Sequence, residues 1–236
     1  ELGQSHFWVG HVLWEQGKRQ AAREHFERYL DLSRELVRID PTRSDWRLEL
    51  AYGHSNLGTV AQTEGNPAEA LERFRATLRV IEALAREEPD DIEWQHELAL
   101  THNLLGETSR DLGRDLEALE HFEIDLELRR RLVAARPDHL HWREALGTSH
   151  DYLAVLLQHQ GRNDEAWEHL TAARDLFEEL VEHDPANALW RYKLGLTTHK
   201  LGIHHRQLGS HQEALAAWDR TEELVRPLAE AEPDHR

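Results

Sequence analysis

The chain repeats itself every 48 residues, and this period limits the fold more than any other feature of the sequence. Four residue types keep the same phase along the chain. They form a tryptophan series (Trp46, Trp94, Trp142, Trp190), a proline series (Pro41, Pro89, Pro137, Pro185, Pro233), a glycine series (Gly17, Gly65, Gly113, Gly161, Gly209) and an alanine series (Ala22, Ala70, Ala118, Ala166, Ala214). A fixed period of this length indicates a repeat protein, in which each unit packs only on its neighbours.

One unit reads as two helices joined by a short turn. Four residues with the spacing of one helical face predict a first helix, here called helix A: Leu50, His54, Leu57 and Gly58. Helix A should span about 44–63, because Gly65 can adopt the left-handed conformation that ends a helix. Pro67 suits the first turn of the next helix, helix B, which continues at helical spacing to about residue 86. Pro89 then ends it, so the unit is an antiparallel helix pair.

Laid out with this period, the chain divides into five units: 1–40, 41–88, 89–136, 137–184 and 185–236. The first unit begins part-way through helix A. We therefore predict one all-α domain over residues 1–236, with about ten antiparallel helices stacked as a solenoid. Residues 230–236 are expected to fray. Because the chain has no methionine and begins with Glu1, we expect it to be part of a longer protein.

Small residues recur at two further positions of helix A. One column comprises Gly3, Ala51, Ala99, Gly147 and Gly195, and the other comprises Gly10, Gly58, Gly106, Ala154 and Gly202. Small side chains let helix axes approach closely, so these columns should face another helix.

Composition argues against several classes of partner. The chain carries 45 acidic and 28 basic residues, a net charge of −17, which repels the phosphates of nucleic acids and the surfaces of anionic membranes. No apolar run approaches the roughly 20 residues of a membrane helix, and no secretion signal is visible. There is no cysteine, which excludes disulfides and thiolate zinc sites. We expect a cytoplasmic protein that binds neither nucleic acid nor membrane.

A histidine recurs on helix A, with Thr198 in the fifth place: His6, His54, His102 and His150. A metal site would need two histidines four residues apart on one helix, and no pair in the chain has that spacing. We therefore favour an inter-helix hydrogen bond over metal binding for this column. Five other histidines are expected to be only partly exposed: His25, His121, His169, His204 and His205.

No catalytic motif is present. The sequence contains no glycine-rich phosphate loop, no Gly-x-Ser-x-Gly turn and no His-Glu-x-x-His, and its acidic residues are scattered. We predict that the chain is not an enzyme and holds no cofactor or metal.

Aromatic residues suggest packing rather than ligand binding. The tryptophan series lies just after the proline turn, where a large ring can cover the turn and join adjacent units. An aromatic cage is the disfavoured alternative, since rings placed one per repeat do not converge. Phe7, Trp8 and Trp14 form an apolar stripe on the first helix A. We expect this stripe to contact a preceding repeat or domain, and a docking patch is the alternative.

At this point the residues resemble a known family. Leu57-Gly58, Gly65, Ala70 and Phe74, with their counterparts in the other units, resemble the signature of tetratricopeptide repeats. That family's usual unit has 34 residues, whereas this one has 48, as in the longer bacterial repeats attached to signalling kinases, NTPase switches and caspase-like proteases, and more distantly in kinesin light chains. The resemblance implies a right-handed α-α superhelix whose concave wall is formed by the A helices and binds a peptide or a helix.

The resemblance also assigns a candidate groove. Its residues flank the Leu-Gly pair on successive A helices, in columns that vary while the packing columns do not. They are Asn56, Thr59, Gln62, Asn103, Glu107, Arg110, Asp151, Gln158, His199, Lys200 and Arg206. Lys200 and Arg206 form the one basic cluster among them, and solvated helix faces are the alternative interpretation.

These observations predict a non-catalytic protein-interaction scaffold. It would bind a peptide or helical segment of a partner protein, as a module of a larger bacterial signalling or regulatory protein. The alternative is a structural spacer or oligomerisation arm that makes its contacts through its ends.

Overall fold

The computed structural model describes residues 1–231 and contains ten α-helices and no strand in that range. The A helices are α1 (Leu2–Glu15), α3 (Ser44–Thr63), α5 (Ile92–Asp111), α7 (Leu140–His159) and α9 (Ala188–Gln207). The B helices are α2 (Arg19–Ile39), α4 (Pro67–Glu87), α6 (Asp115–Ala135), α8 (Asn163–His183) and α10 (His211–Ala231). The predicted pairs are therefore confirmed. The expected fraying concerns residues that lie outside the described range, except for 230 and 231, which are helical.

The chain divides into two compact units, each larger than a 48-residue repeat: the first unit is Glu1–Asp125 and the second unit is Leu126–Arg236. The prediction of a single continuous domain stays a prediction.

The turn between the two helices of a pair depends on glycine. The five glycines of the turn series have φ between +69° and +77°, the left-handed region that disfavours a side chain. In the second repeat the Gly65 amide donates to the Gln62 carbonyl at 3.1 Å, and the Asn66 amide donates to the Ala61 carbonyl at 2.8 Å. These bonds satisfy carbonyls that the end of a helix leaves without partners. Pro67 then occupies the first turn of α4.

We expect Gly65→Ala to lower the free energy of unfolding by about 1–2 kcal/mol. A Cβ atom there would meet no atom within 4 Å, so the cost would come from backbone conformation alone. Urea unfolding measures the change. Gly3→Ala is the matched control, because Gly3 lies in α1 and its added Cβ would make ordinary contacts at 3.8 Å. An equal loss in both variants would contradict this account of the turn.

Apolar residues bind helix B of one repeat to helix A of the next. In the first unit one core cluster joins α2 to α3 and comprises Ala22, Phe26, Leu30, Leu57 and Val60. In the second unit a cluster joins α8, α9 and α10 and comprises Ala173, Phe177, Leu180, Trp190, Leu194 and Leu224. Stacking therefore continues the core from one helix pair to the next.

Two members of the tryptophan series, Trp94 and Trp190, join adjacent repeats, as predicted. Trp94 at the start of α5 packs against Ile81 and Leu84 of α4. Trp190 at the start of α9 packs in the same way on Phe177 of α8 and is only 9 % exposed.

One column of small residues matches a column of large rings on helix B. A Cβ atom on Gly58 would lie 2.5 Å from the ring of Phe74, and one on Gly106 would lie 2.6 Å from the ring of Phe122. Where the small residue is Ala154, the neighbouring large residue is the smaller Leu170. The residue in this column is therefore glycine where the opposite side chain is a large ring, and alanine where it is the smaller leucine.

Candidate functional site

The recurring histidine of helix A is paired with a histidine of helix B. In three repeats the two Nδ1 atoms share a hydrogen bond across the helix pair, and the residues lie 19 positions apart: His6 with His25 (3.1 Å), His102 with His121 (3.0 Å) and His150 with His169 (2.9 Å). The predicted inter-helix bond is thus confirmed for His6, His102 and His150, whereas it is wrong for His54, whose Nδ1 has no hydrogen-bond partner. Sequence reasoning missed the helix B partners, although their own 48-residue recurrence was the available signal.

These pairs require at least one neutral ring. Burial lowers the pKa of His102 to about 4 and that of His150 to about 3, and the neighbouring His121 and His169 act in the same direction. Over residues 1–231 no three histidine, aspartate or glutamate side chains are placed to hold a metal ion together. His204, expected to be partly exposed, is instead buried, with its ring stacked on Trp167 at 4.8 Å.

We expect stability to fall as the pH falls from 7.5 to 5. An unfolded histidine binds a proton near pH 6.5, whereas folded His102 does so only near pH 4, so the unfolded state binds more protons in this window. His102 alone should contribute a loss on the order of 1–2 kcal/mol. Urea unfolding at both pH values tests this in the wild type and in His102→Leu/His121→Leu. An undiminished pH effect in the double variant would contradict the prediction.

The candidate groove residues of the first unit differ in their surroundings. Thr59 is exposed, and Asn103 and Glu107 are half-buried. Gln62 of α3 donates to Asp111 of α5 at 3.5 Å, and Arg110 lies 3.3 Å from the same Asp111. A second bond links the same two helices, from Tyr52 to Glu97 at 2.8 Å. Gln62 therefore lies on the side of α3 that meets α5.

Asn56 is the candidate residue that lines a recess with unsatisfied polar atoms, one of which is its own Nδ2. A recess of about 80 Å³ between α1 and α3 is lined by His11, Trp14, Asn56, Thr59 and other residues. Nδ2 of Asn56 and Nε2 of His11 are both buried and have no hydrogen-bond partner. Burial also lowers the pKa of His11, so its ring is neutral at pH 7. A backbone carbonyl of a bound chain accepts a hydrogen bond from Asn56 Nδ2, and from His11 Nε2 in the tautomer that carries its proton there.

In the second unit, the expected basic cluster needs correction. Lys200 lies 3.2 Å from Asp151, which also accepts from the Thr197 hydroxyl at 3.0 Å. Burial raises the pKa of Asp151 and Lys200 opposes that shift. Lys200 therefore neutralises a carboxylate of the neighbouring A helix, and it does not join Arg206 in a free basic cluster. Gln158 is half-buried.

His199 and Arg206, by contrast, are exposed. His199 lines a recess of about 660 Å³ at the α9–α10 end with Leu196 and Trp218.

The aromatic stripe of α1 also differs from its expected role. Trp14 packs against the core cluster of α2 and α3, and Phe7 lies 5.3 Å from the Tyr29 ring. Of the three residues only Trp8 is largely exposed, at 66 %. Leu2, Val9 and Val12 form the exposed apolar face of this helix instead.

No helix within residues 1–231 combines the length and apolar character needed to cross a membrane.

Comparison with family models identifies the repeat type in two segments of the chain. Family models described as tetratricopeptide repeat match residues 3–36 and 51–76. No curated protein matches the chain.

Several solved structures share the fold. The apo form of RapI is similar with a TM-score of 0.62 and 13 % identity, covering 98 % of this chain and 85 % of that one. A putative kinesin light chain of Podosopora anserina with TPR-like repeats gives 0.61 and 17 %, covering 99 % and 97 %. MamA gives 0.53 and 14 %, covering 94 % and 97 %. These likenesses confirm the predicted fold class, an α-α superhelical solenoid of helix pairs, and the two family-model matches identify tetratricopeptide repeats over residues 3–36 and 51–76.

Proposed function

We propose that the chain is a non-catalytic protein-interaction scaffold that binds an extended peptide or a helix of a partner along its A helices. The observation that carries this proposal is the recess beside Asn56. Two polar atoms, Asn56 Nδ2 and His11 Nε2, are buried there without partners, and buried polar groups are costly unless hydrogen-bonded. The surrounding rings and Val60 provide an apolar floor. This combination suits a bound chain that supplies both apolar contact and a backbone hydrogen bond.

The inner columns also suit a scaffold mechanism. Hydrogen bonds between successive A helices, such as Tyr52 to Glu97, hold the helices in register within the first unit. A partner would then meet side chains whose spacing is set by the core, which reduces the ordering cost of binding. We further propose that the scaffold serves a larger bacterial signalling or regulatory protein and acts in the cytoplasm.

A peptide selection tests the groove. Peptides displayed on phage would be selected on the wild-type chain, and the affinity of each selected peptide would be measured by fluorescence polarisation. We expect Asn56→Leu/Thr59→Ala to weaken binding about tenfold or more, a loss of about 1.4 kcal/mol. The control is Arg220→Ala/Glu223→Ala, which changes an exposed ion pair of helix B. Failure to select any peptide, or equal affinity in the groove variant, would overturn the proposal.

A structural spacer or oligomerisation arm is the second candidate function, and the two end faces favour it. Leu2, Val9 and Val12 of α1 are 64 %, 42 % and 51 % exposed. The residues 48 positions later than Val9 and Val12 are Leu57 and Val60, which are at most 1 % exposed because they pack on α2. The first helix A thus exposes the face that a later helix A buries.

The α9–α10 end exposes the opposite face. Val225 and Trp218 line the recess of about 660 Å³. The counterpart of Val225 in the second repeat is Ile81, which is buried beneath Trp94 of the next repeat. Each end therefore exposes apolar residues at positions that, in the interior of the stack, pack against a neighbouring repeat.

Solution mass measurements separate the two functions. Contacts through the ends predict a concentration-dependent increase in mass that Val9→Glu and Leu196→Glu each abolish, while selected peptides still bind. A concentration of about 100 μM lies well above a micromolar dissociation constant. A chain that stays monomeric at this concentration would contradict the oligomerisation arm.

A further inference from the structure

In the first and second repeats a recess lies at the recurring histidine of helix A, and the net charge of the side chains that line it differs in sign between the two repeats. In the first repeat a recess of about 510 Å³ is lined by His6, Glu24, His25, Glu27, Arg28 and Asp31. In the second repeat a recess of about 460 Å³ is lined by His54, Glu69, Glu72, Arg73, Arg75, Ala76 and Arg79. The lining thus contains three carboxylates and one arginine in the first repeat, and two carboxylates and three arginines in the second repeat.

The difference falls on equivalent positions. Arg73, Arg75 and Arg79 stand where the first repeat has His25, Glu27 and Asp31. The third repeat has His121, Glu123 and Glu127 at these positions, and the fourth has His169, Thr171 and Asp175. In a chain of net charge −17, only the second repeat places arginine there.

The same substitution leaves His54 without its partner. Because Arg73 replaces the paired histidine, Nδ1 of His54 is buried with no hydrogen bond. Burial lowers the pKa of His54 to about 4, and the positive charges of Arg34, Arg73 and Arg79 act in the same direction. The recess therefore combines a neutral ring, a positive potential and an unused polar atom.

The arginines are held in place but not all neutralised. Arg73 lies 3.6 Å from Glu69, and Arg75 is paired with Glu117 of α6. Arg79 has no ion-pair partner among residues 1–231 and is exposed. Guanidinium groups bind phosphate oxygens through paired hydrogen bonds, and a phosphate offers three acceptor oxygens to such a cluster.

From this geometry we infer that the second-repeat recess is an anion-binding site that takes a phosphate group. Arg79 and Arg75 donate hydrogen bonds to the phosphate oxygens, and Arg73 bounds the inner side of the recess. A nitrogen of the His54 ring also donates to the phosphate. This site is lined by residues of α3 and α4 other than the groove residues, so it goes beyond the proposed groove, whose failure would leave it unaffected.

Inorganic phosphate is the probe. The ring signals of His54 would be followed by NMR at pH 7 during a titration to about 20 mM phosphate, with chloride of equal ionic strength as reference, a range that reaches millimolar affinities. We expect a saturable shift of the His54 signals. The repeat-swap variant Arg73→His/Arg75→Glu/Arg79→Asp, which writes the first repeat's residues into the second, should weaken binding about tenfold or more.

Controls separate the site from general charge effects and from misfolding. Arg220→Glu changes one exposed charge of α10 and should leave the phosphate titration unchanged. Arg79→Asp alone keeps the other two arginines and should weaken binding with unchanged urea unfolding. No saturable shift in the wild type, or equal binding by the folded repeat-swap variant, would overturn the inference.

A second binding experiment, with peptides, identifies the source of the phosphate. A phosphoserine peptide, its unphosphorylated form and inorganic phosphate would be compared on the wild type. Tighter binding of the phosphopeptide supports the site with a protein ligand, and binding no tighter than inorganic phosphate supports it with a free phosphate compound. Equal binding of the unphosphorylated peptide, with no effect of phosphate, would contradict it.

Discussion

Trp190→Ala should lower the free energy of unfolding of the last repeat by about 3–5 kcal/mol, the usual cost of removing a buried tryptophan ring. Trp190 is 9 % exposed and packs against Phe177 and Leu194 in the cluster that joins α8 to α9. Removing the ring leaves a cavity between two repeats, which the surrounding helices can close only in part. Because repeats stabilise one another through such interfaces, α9 and α10 should open first.

Hydrogen exchange and urea unfolding measure this effect together. We expect amides of α9 and α10 to lose protection in Trp190→Ala, while those of α3 and α4 change little. Trp8→Ala is the matched control, because Trp8 is 66 % exposed and should change stability by no more than about 0.5 kcal/mol. Similar losses in the two variants would contradict the role assigned to the tryptophan series.

Gly106→Ala should cost about 1–3 kcal/mol even though alanine is the better helix former. The added Cβ would lie 2.6 Å from two atoms of the Phe122 ring, closer than side chains pack. Phe122 is fully buried, so its ring has little room to move. The clash therefore outweighs the gain of about 1 kcal/mol expected from helix propensity.

A double-mutant cycle isolates this contact. Phe122→Leu should cost stability in the wild type but restore part of it in Gly106→Ala, because the chain already combines Ala154 with Leu170 in one cluster. We expect a favourable coupling of about 1 kcal/mol or more from urea unfolding of the four proteins. Additive changes would show that the glycine column does not exist to make room for the ring.

Much of the architecture was predictable because it depends on local chemistry. Gly65 ends α3 in the left-handed conformation, and α3 spans Ser44–Thr63 as predicted. Helix α4 ends at Glu87, one residue beyond the prediction. Such boundaries follow from turn residues and helical spacing, which act over a few residues and recur in every repeat.

The candidate site was less predictable, because its character depends on which side chains meet across helices. Asn56 and Thr59 line one recess, but this recess also needs His11 and Trp14 from α1. Lys200 was predicted to form a basic cluster with Arg206, and only the packing of α7 beside α9 brings it to Asp151.

Within a repeat, then, spacing and turn chemistry decided that the chain would form helix pairs, where each helix would end and which faces would be apolar. Packing decided the partners. It set histidine against histidine in three repeats, left His54 facing arginines in the second, and placed a ring opposite each glycine of one column. The reason is physical: a period specifies which positions are equivalent, whereas the contacts at each position depend on side chains that lie far apart along the chain and meet only when the helices stack.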